Sequence, residues 1–203
     1  MVPMDRAQAA ALRDLLAMTG GRSGWVDASD EFGAALRRAP RRPGGLLLAG
    51  PVDEEPWHLA AHLTDESQWS GRPELAPVLL RHNPPPNAPP HLATSLRRLE
   101  TSGRGEALLF VAQNDPQDPL LERIDDARRR GARILSLDQS AKQLRGLAHE
   151  TLTVPVEPGP LTFDTAQHLV SLAAATSGAE PGGLRALLGR WIDALSGPRV
   201  EHW

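Results

Sequence analysis

The sequence predicts an α/β protein, a doubly wound and mostly parallel sheet of five strands with helices on both faces. Three observations carry that expectation. Uninterrupted apolar runs such as Leu46-Leu47-Leu48-Ala49 and Ala107-Leu108-Leu109-Phe110-Val111-Ala112 read as strands covered on both sides. Segments of helical spacing alternate with them, the order of a parallel sheet whose crossovers are helices. A chain of 203 residues, 40 % hydrophobic and 23 % charged, is long enough for one substantial core and short for two.

The elements follow in order. Asp5 to Met18 carries Ala9, Leu12, Leu15 and Leu16 at helical spacing, and Gly20-Gly21 stops it. Ser29 to Arg38 is a second helix, with Phe32 and Leu36 inward, before Pro40-Arg41-Arg42-Pro43. The strand ending at Gly50 leads to a helix from Pro56 to about Thr64, and Pro77 to His82 is the next strand. Asn83 to Pro90 is too rich in proline for strand or helix, and a helix spans His91 to Glu100. The strand at 107–112 is followed by a helix from Pro119 to Arg130 and a strand from Ala132 to Leu137. A short helix from Ala141 to Leu147 and a strand from Glu150 to Val156 complete the sheet. Helices from Thr162 to Thr176 and Gly183 to Leu195 close the chain, which divides into N-terminal helices (1–43), a core (44–157) and C-terminal helices (158–203) of one domain.

Composition excludes several chemistries. Without cysteine there are no disulfides, zinc–thiolate sites or thiol nucleophiles. The first residues lack the apolar core of a signal peptide, and no apolar run approaches the roughly 20 residues that span a bilayer. A cytoplasmic location without membrane contact is therefore expected. Lys142 is the only lysine, and acidic residues outnumber basic ones by 25 to 22, so no nucleic-acid partner is expected. Arg128-Arg129-Arg130 complements a helix end, and Tyr is absent from the chain, leaving little aromatic interleaving. No Walker loop, Gly-x-Gly-x-x-Gly or Gly-x-Ser-x-Gly occurs, and Ser136, Ser140 and Ser171 lie near no evident His-Asp arrangement.

Ligands of open parallel sheets bind beyond the carboxyl ends of strands, where connections diverge to opposite faces. The loops Gly50 to Pro56 and Ala112 to Pro119 are therefore the candidate site. From Leu46 to about Ala175, roughly two-thirds of the chain, the sequence resembles the sugar isomerase (SIS) domain, with its flavodoxin-like layering, and within it the phosphoheptose isomerase branch. The resemblance rests on Val111-Ala112-Gln113-Asn114-Asp115-Pro116-Gln117-Asp118, the helix to Gly131, the strand Arg133 to Leu137, and Leu-Leu-Ala-Gly before the helix with Trp57-His58-Leu59-Ala60. It implies a homodimer or higher oligomer and a small sugar-derived ligand. It would place the branch's catalytic glutamate at about His62 and its catalytic histidine at about Ala173. A metal-binding histidine falls on His58 and another late-helix histidine on His168.

The motifs themselves are degenerate. The family's hydroxyl-rich phosphate loop is replaced by Gln113, Asn114, Asp115, Pro116 and Gln117, and its glycine-rich loop by Pro51-Val52-Asp53-Glu54-Glu55. Glu55-Pro56 and Asp118-Pro119 each set a carboxylate before a proline, so both helices are expected to cap themselves. A helix N-terminus is worth up to about 2 kcal/mol to an anion, whereas a carboxylate about 5 Å from a dianion costs roughly 6 kcal/mol at an effective dielectric near 20. Repulsion wins unless Arg72 or Arg81 folds in.

The expected ligand-binding residues are thus Asp53, Glu54, Glu55, Gln113, Asn114, Asp115 and Gln117, with His62 and His168 the candidates for acid/base work. His58 and His62, one turn apart, could hold a divalent metal ion; two partly exposed histidines are the simpler expectation, without a cofactor. The function expected is a SIS-like protein without isomerase activity that binds a carbohydrate derivative, regulates or scaffolds. The alternatives are an atypical sugar-phosphate aldose–ketose isomerase and a structural subunit whose Pro-rich loop or Trp203 docks a protein partner.

Overall fold

The computed structural model describes residues 6–18, 23–156 and 159–176. Five parallel strands, β1 (Leu46–Ala49), β2 (Val78–Leu79), β3 (Ala107–Ala112), β4 (Arg133–Asp138) and β5 (Glu150–Thr153), form one sheet in the order β2-β1-β3-β4-β5. The α/β, doubly wound expectation holds, and every strand pair is parallel. β1 and β3 are buried along their whole length, which explains why their runs are apolar without alternation.

Alternate residues of these strands feed two cores. Leu46, Leu48, Leu109, Val111, Leu135 and Leu137 face a layer built from α1 (Arg6–Met18), α2 (Ser23–Arg38), α3 (Trp57–Ser70) and α6 (Phe163–Ala175). Leu47, Ala49, Leu108, Phe110 and Ile134 face α4 (Asp118–Arg129) and α5 (Lys142–Leu147). α6 is the centre of the first layer and is buried from Ala166 to Ala175. Thr162 starts it with a capping box, accepting from the Thr165 N–H at 3.1 Å while its own N–H donates to Thr165 Oγ1 at 2.7 Å. A Cβ on Gly33 would lie 2.6 Å from the Cβ and carbonyl carbon of Ala173, so α2 approaches α6 backbone to backbone.

Several boundaries differ from the expectation for physical reasons. α2 begins at Ser23 because Val26 joins the core and the Trp25 indole donates to the Thr153 carbonyl at 2.9 Å. α3 runs past Thr64 to Ser70, where Gly71, at φ 66, closes it. β2 shrinks because, after the Leu80 N–H bonds to Leu48, the chain turns away and Arg81 pairs with Thr94 and Leu96. That pairing also breaks the helix expected from His91 to Glu100 into two 3₁₀ turns, Pro90–Leu92 and Leu96–Thr101. β5 stops at Thr153, before Pro155. The helix expected over 183–195, and Trp203, lie outside the described residues. Among the described residues no helix is long and apolar enough to cross a membrane.

Below β3, at the amino end of the sheet, Glu106 is 3 % exposed. Its carboxylate accepts from Arg42 at 2.7 Å, from Arg98, and from the Gly103 N–H at 3.1 Å. Burial pushes this carboxyl up, but the hydrogen bonds from Arg98, Arg42 and Gly103 outweigh it, and its pKa falls below the ordinary 4.5. A depressed carboxylate contributes stability that is present above its unfolded pKa and lost as pH falls through the folded one. Glu106→Gln should therefore cost about 3 kcal/mol at neutral pH in urea unfolding, with a difference from the native chain that shrinks in acid below pH 4.5.

Candidate functional site

The sheet order puts a switch point between β1 and β3, since α3 leaves β1 on one face and α4 leaves β3 on the other. At the carboxyl ends of these strands lies a cavity of about 500 Å³. The β1 loop supplies Pro51, Val52 and Asp53, the β3 loop Asp115, Pro116 and Gln117, and α4 Leu120 and Arg123. His82, just past β2, completes the polar lining. The volume is that of a small-ligand site.

Of the expected ligand-binding residues, Asp53, Asp115 and Gln117 line this cavity. Glu54 and Gln113 instead tie the two loops together, the Gln113 amide donating to Glu54 Oε1 at 2.9 Å. Asn114 is exposed on the same loop. Glu55 is turned inward. It accepts from Arg81 Nε at 3.1 Å and from the His82 N–H at 2.9 Å, and the Arg81 guanidinium sits 4.4 Å from the Trp57 ring centroid. Arg81 does fold in, therefore, but to neutralise Glu55.

The self-capping expectation is corrected. Neither α3, begun after Pro56, nor α4, begun after Gln117, has a side-chain cap. Glu55 is drawn off by the stronger attraction of a guanidinium, and Asp118 is already the first residue of α4, where it favours the helix dipole from an exposed position. The helix end that is filled is that of α5. Asp115 Oδ1 accepts the N–H groups of Gln143 at 2.8 Å and Leu144 at 3.0 Å. Gln113 reinforces the link, its carbonyl accepting from the Ser140 N–H at 2.7 Å. Behind it, buried Asp138 holds Arg145 Nε at 2.9 Å and the Ser136 hydroxyl at 2.9 Å, which clamps α5 to the sheet.

Sequence reasoning missed His82 and Arg123. His82 Nε2 lies 2.9 Å from the Gly50 carbonyl, which can only accept, so Nε2 carries the hydrogen. The available signal was positional, because His82 follows the end of β2 as the two expected loops follow β1 and β3.

His62 and His168 meet elsewhere, in the α3–α6 contact, with ring centroids 4.2 Å apart in an edge-on arrangement. Neither lines the cavity. Burial lowers the pKa of both rings, His58 lowers both further and His62 lowers His168, while Asp164 opposes the shift in both and Asp65 in His62, without cancelling it. His58 Nδ1 is 3.9 Å from Asp164. Among the described residues, no group of three or more His, Asp or Glu side chains is placed to hold a metal ion.

By sequence, the chain matches no protein-family model and no curated protein. By structure, it aligns with a candidate sugar-binding protein from Salmonella typhimurium LT2 at TM-score 0.51 and 19 % identity, covering 93 % of this chain and 53 % of that one. A candidate phosphosugar isomerase from Silicibacter pomeroyi DSS-3 gives TM-score 0.51 and 17 % identity over 97 % and 56 % of the two chains. Another from Salmonella typhimurium LT2 gives 0.50 and 12 % over 85 % and 51 %. The chain thus spans about half the length of these three proteins. At these identities the likeness is one of fold alone, an α/β fold shared with a candidate sugar-binding protein and two candidate phosphosugar isomerases.

Two outcomes follow. Asp115→Ala should lower stability by about 1 kcal/mol and speed amide exchange at Gln143 and Leu144, read by hydrogen exchange. The histidine pair should make stability full above pH 6.5 and falling as pH drops through the lowered pKa values. His168→Leu should flatten that slope in unfolding curves between pH 7 and pH 5, about the range over which histidine titrates.

Proposed function

We propose that this chain is a SIS-fold binding domain without isomerase activity, which holds a small sugar-derived ligand in the crevice beyond β1 and β3. The observation that carries the reading is the content of that crevice. Asp53 and Asp115 accept hydrogen bonds from hydroxyls, while Gln117 and Arg123 donate, a set suited to a polyhydroxylated molecule. The family's catalytic positions, by contrast, fall away from it. His62 packs on His168, and Ala173 is buried against Gly33. A candidate sugar-binding protein and two candidate phosphosugar isomerases among the proteins of like fold support a sugar-derived ligand. The reading includes a homodimer, which sedimentation tests directly.

A panel of sugars and sugar phosphates tests the reading by thermal unfolding. A ligand at 100 times its dissociation constant should add about 2.7 kcal/mol of stability. Arg123→Ala should abolish that gain, and NMR of the recovered ligand should show it unchanged. The reading fails if the ligand is converted between aldose and ketose at an enzyme-like rate that His82→Ala or Asp115→Asn removes, because the crevice would then supply the acid and base of an isomerase.

A further inference from the structure

The opposite, amino end of the sheet holds a second cavity, of about 200 Å³, below β3 and β4. Its lining includes four arginines, Arg38, Arg41, Arg104 and Arg133, together with His149. In a chain of net charge -3 this is a marked concentration of positive charge. Glu106 is the one carboxylate in the lining, and it is already engaged by Arg42, Arg98 and the Gly103 N–H. Arg133 pairs at 3.0 Å with half-buried Glu150.

Helix ends explain part of this charge. The carboxyl end of α2 gathers at this end of the sheet, and Arg38 serves it. Arg41 and Arg104 belong to no helix, and their guanidinium groups take no partner among the described residues. Their stems nevertheless lie along the backbone of two glycines. The Arg41 side chain lies across Gly105, where a Cβ would come 3.9 Å from its Cβ and Cδ. Arg104 lies across Gly131, 3.5 Å from a Cβ there. Both glycines have positive φ, 87° and 95°, so the backbone under each arginine stem is one that favours glycine. His149 adds a directed donor. Its Nδ1 accepts the Ile134 N–H at 3.0 Å, which leaves the hydrogen on Nε2.

We infer that this amino-end cavity binds a small, multiply charged anion of the phosphoryl-bearing class, at a site separate from the crevice. Unpartnered guanidinium groups and an imidazole N–H match the oxygens of such an anion, and guanidinium forks pair with phosphoryl oxygens in two parallel bonds. The volume, below the roughly 300 Å³ at which drug-sized sites begin, selects a small ion over a nucleotide.

Pyrophosphate is the probe, titrated calorimetrically into the full chain at low ionic strength. Saturable binding is expected, weakened about tenfold or more in the double variant Arg41→Gln/Arg104→Gln. The variant's thermal midpoint should be unchanged without pyrophosphate, because neither guanidinium has a partner to lose. Absence of saturable binding overturns the inference, as does binding equally tight in the double variant. Pyrophosphate affinity that survives that variant but disappears in Arg123→Gln would put the anion in the crevice instead. A single-stranded RNA that binds more tightly than pyrophosphate, and is released by the double substitution, would make this end a nucleic-acid surface and overturn the small-anion assignment.

Discussion

The crevice depends on a close backbone approach at Gly50. A Cβ there would lie 2.6 Å from the Glu54 carbonyl oxygen, 2.9 Å from Pro56 Cδ and 2.9 Å from the Val111 carbonyl oxygen. β1 can therefore hand the chain back over its own end while staying paired with β3. Two fully buried strands thus finish side by side with their loops diverging, and that divergence opens the cavity. The Gly50 carbonyl also receives His82 Nε2, so the same residue that permits the turn orients the imidazole of the third loop. Remove the close approach and the loop, the ring and the crevice wall all shift together.

Charge in this protein is handled by pairing, and pairing decides which acids remain for a ligand. The β1 loop carries Asp53, Glu54 and Glu55, but Arg81 takes the last and Gln113 the second. In the β3 loop Asp115 is partly committed to α5. Loops that look uniformly acidic in sequence thus present only Asp53 and part of Asp115 to the cavity, opposite Arg123. Electrostatic repulsion of an anion there is smaller than a count of carboxylates suggests, and the specificity must come from the geometry of a few acceptors and donors.

Much of the architecture was legible because burial on both faces leaves a strong mark. β3, α4 and β4 lie within a residue or so of their expected bounds, since an unbroken apolar run and a proline near a helix start are local signals. The segment from Pro77 to Thr101 was less legible. Its course is set by the bonds of Arg81 to Thr94 and Leu96, made across the intervening loop, which no local pattern encodes. The loops of the site were found by position, yet the partners of their side chains were not. Glu55 answers to Arg81 and Asp115 to Gln143 and Leu144, both far along the chain. His82 and Arg123 belong to no motif, and the arginines of the opposite end are scattered from 38 to 133, so only the fold reveals either group.

The bond between Asp115 and α5 has a mechanical side. One carboxylate oxygen holds down a helix of six residues that sits between β4 and β5. Any molecule that recruits this oxygen in the crevice competes with two backbone amides for it. Occupancy and the docking of α5 are then linked quantities, each weakening the other by the same factor. The carboxylate that lines one side of the pocket is also the one that fastens the helix leading to β5, the sheet's edge strand.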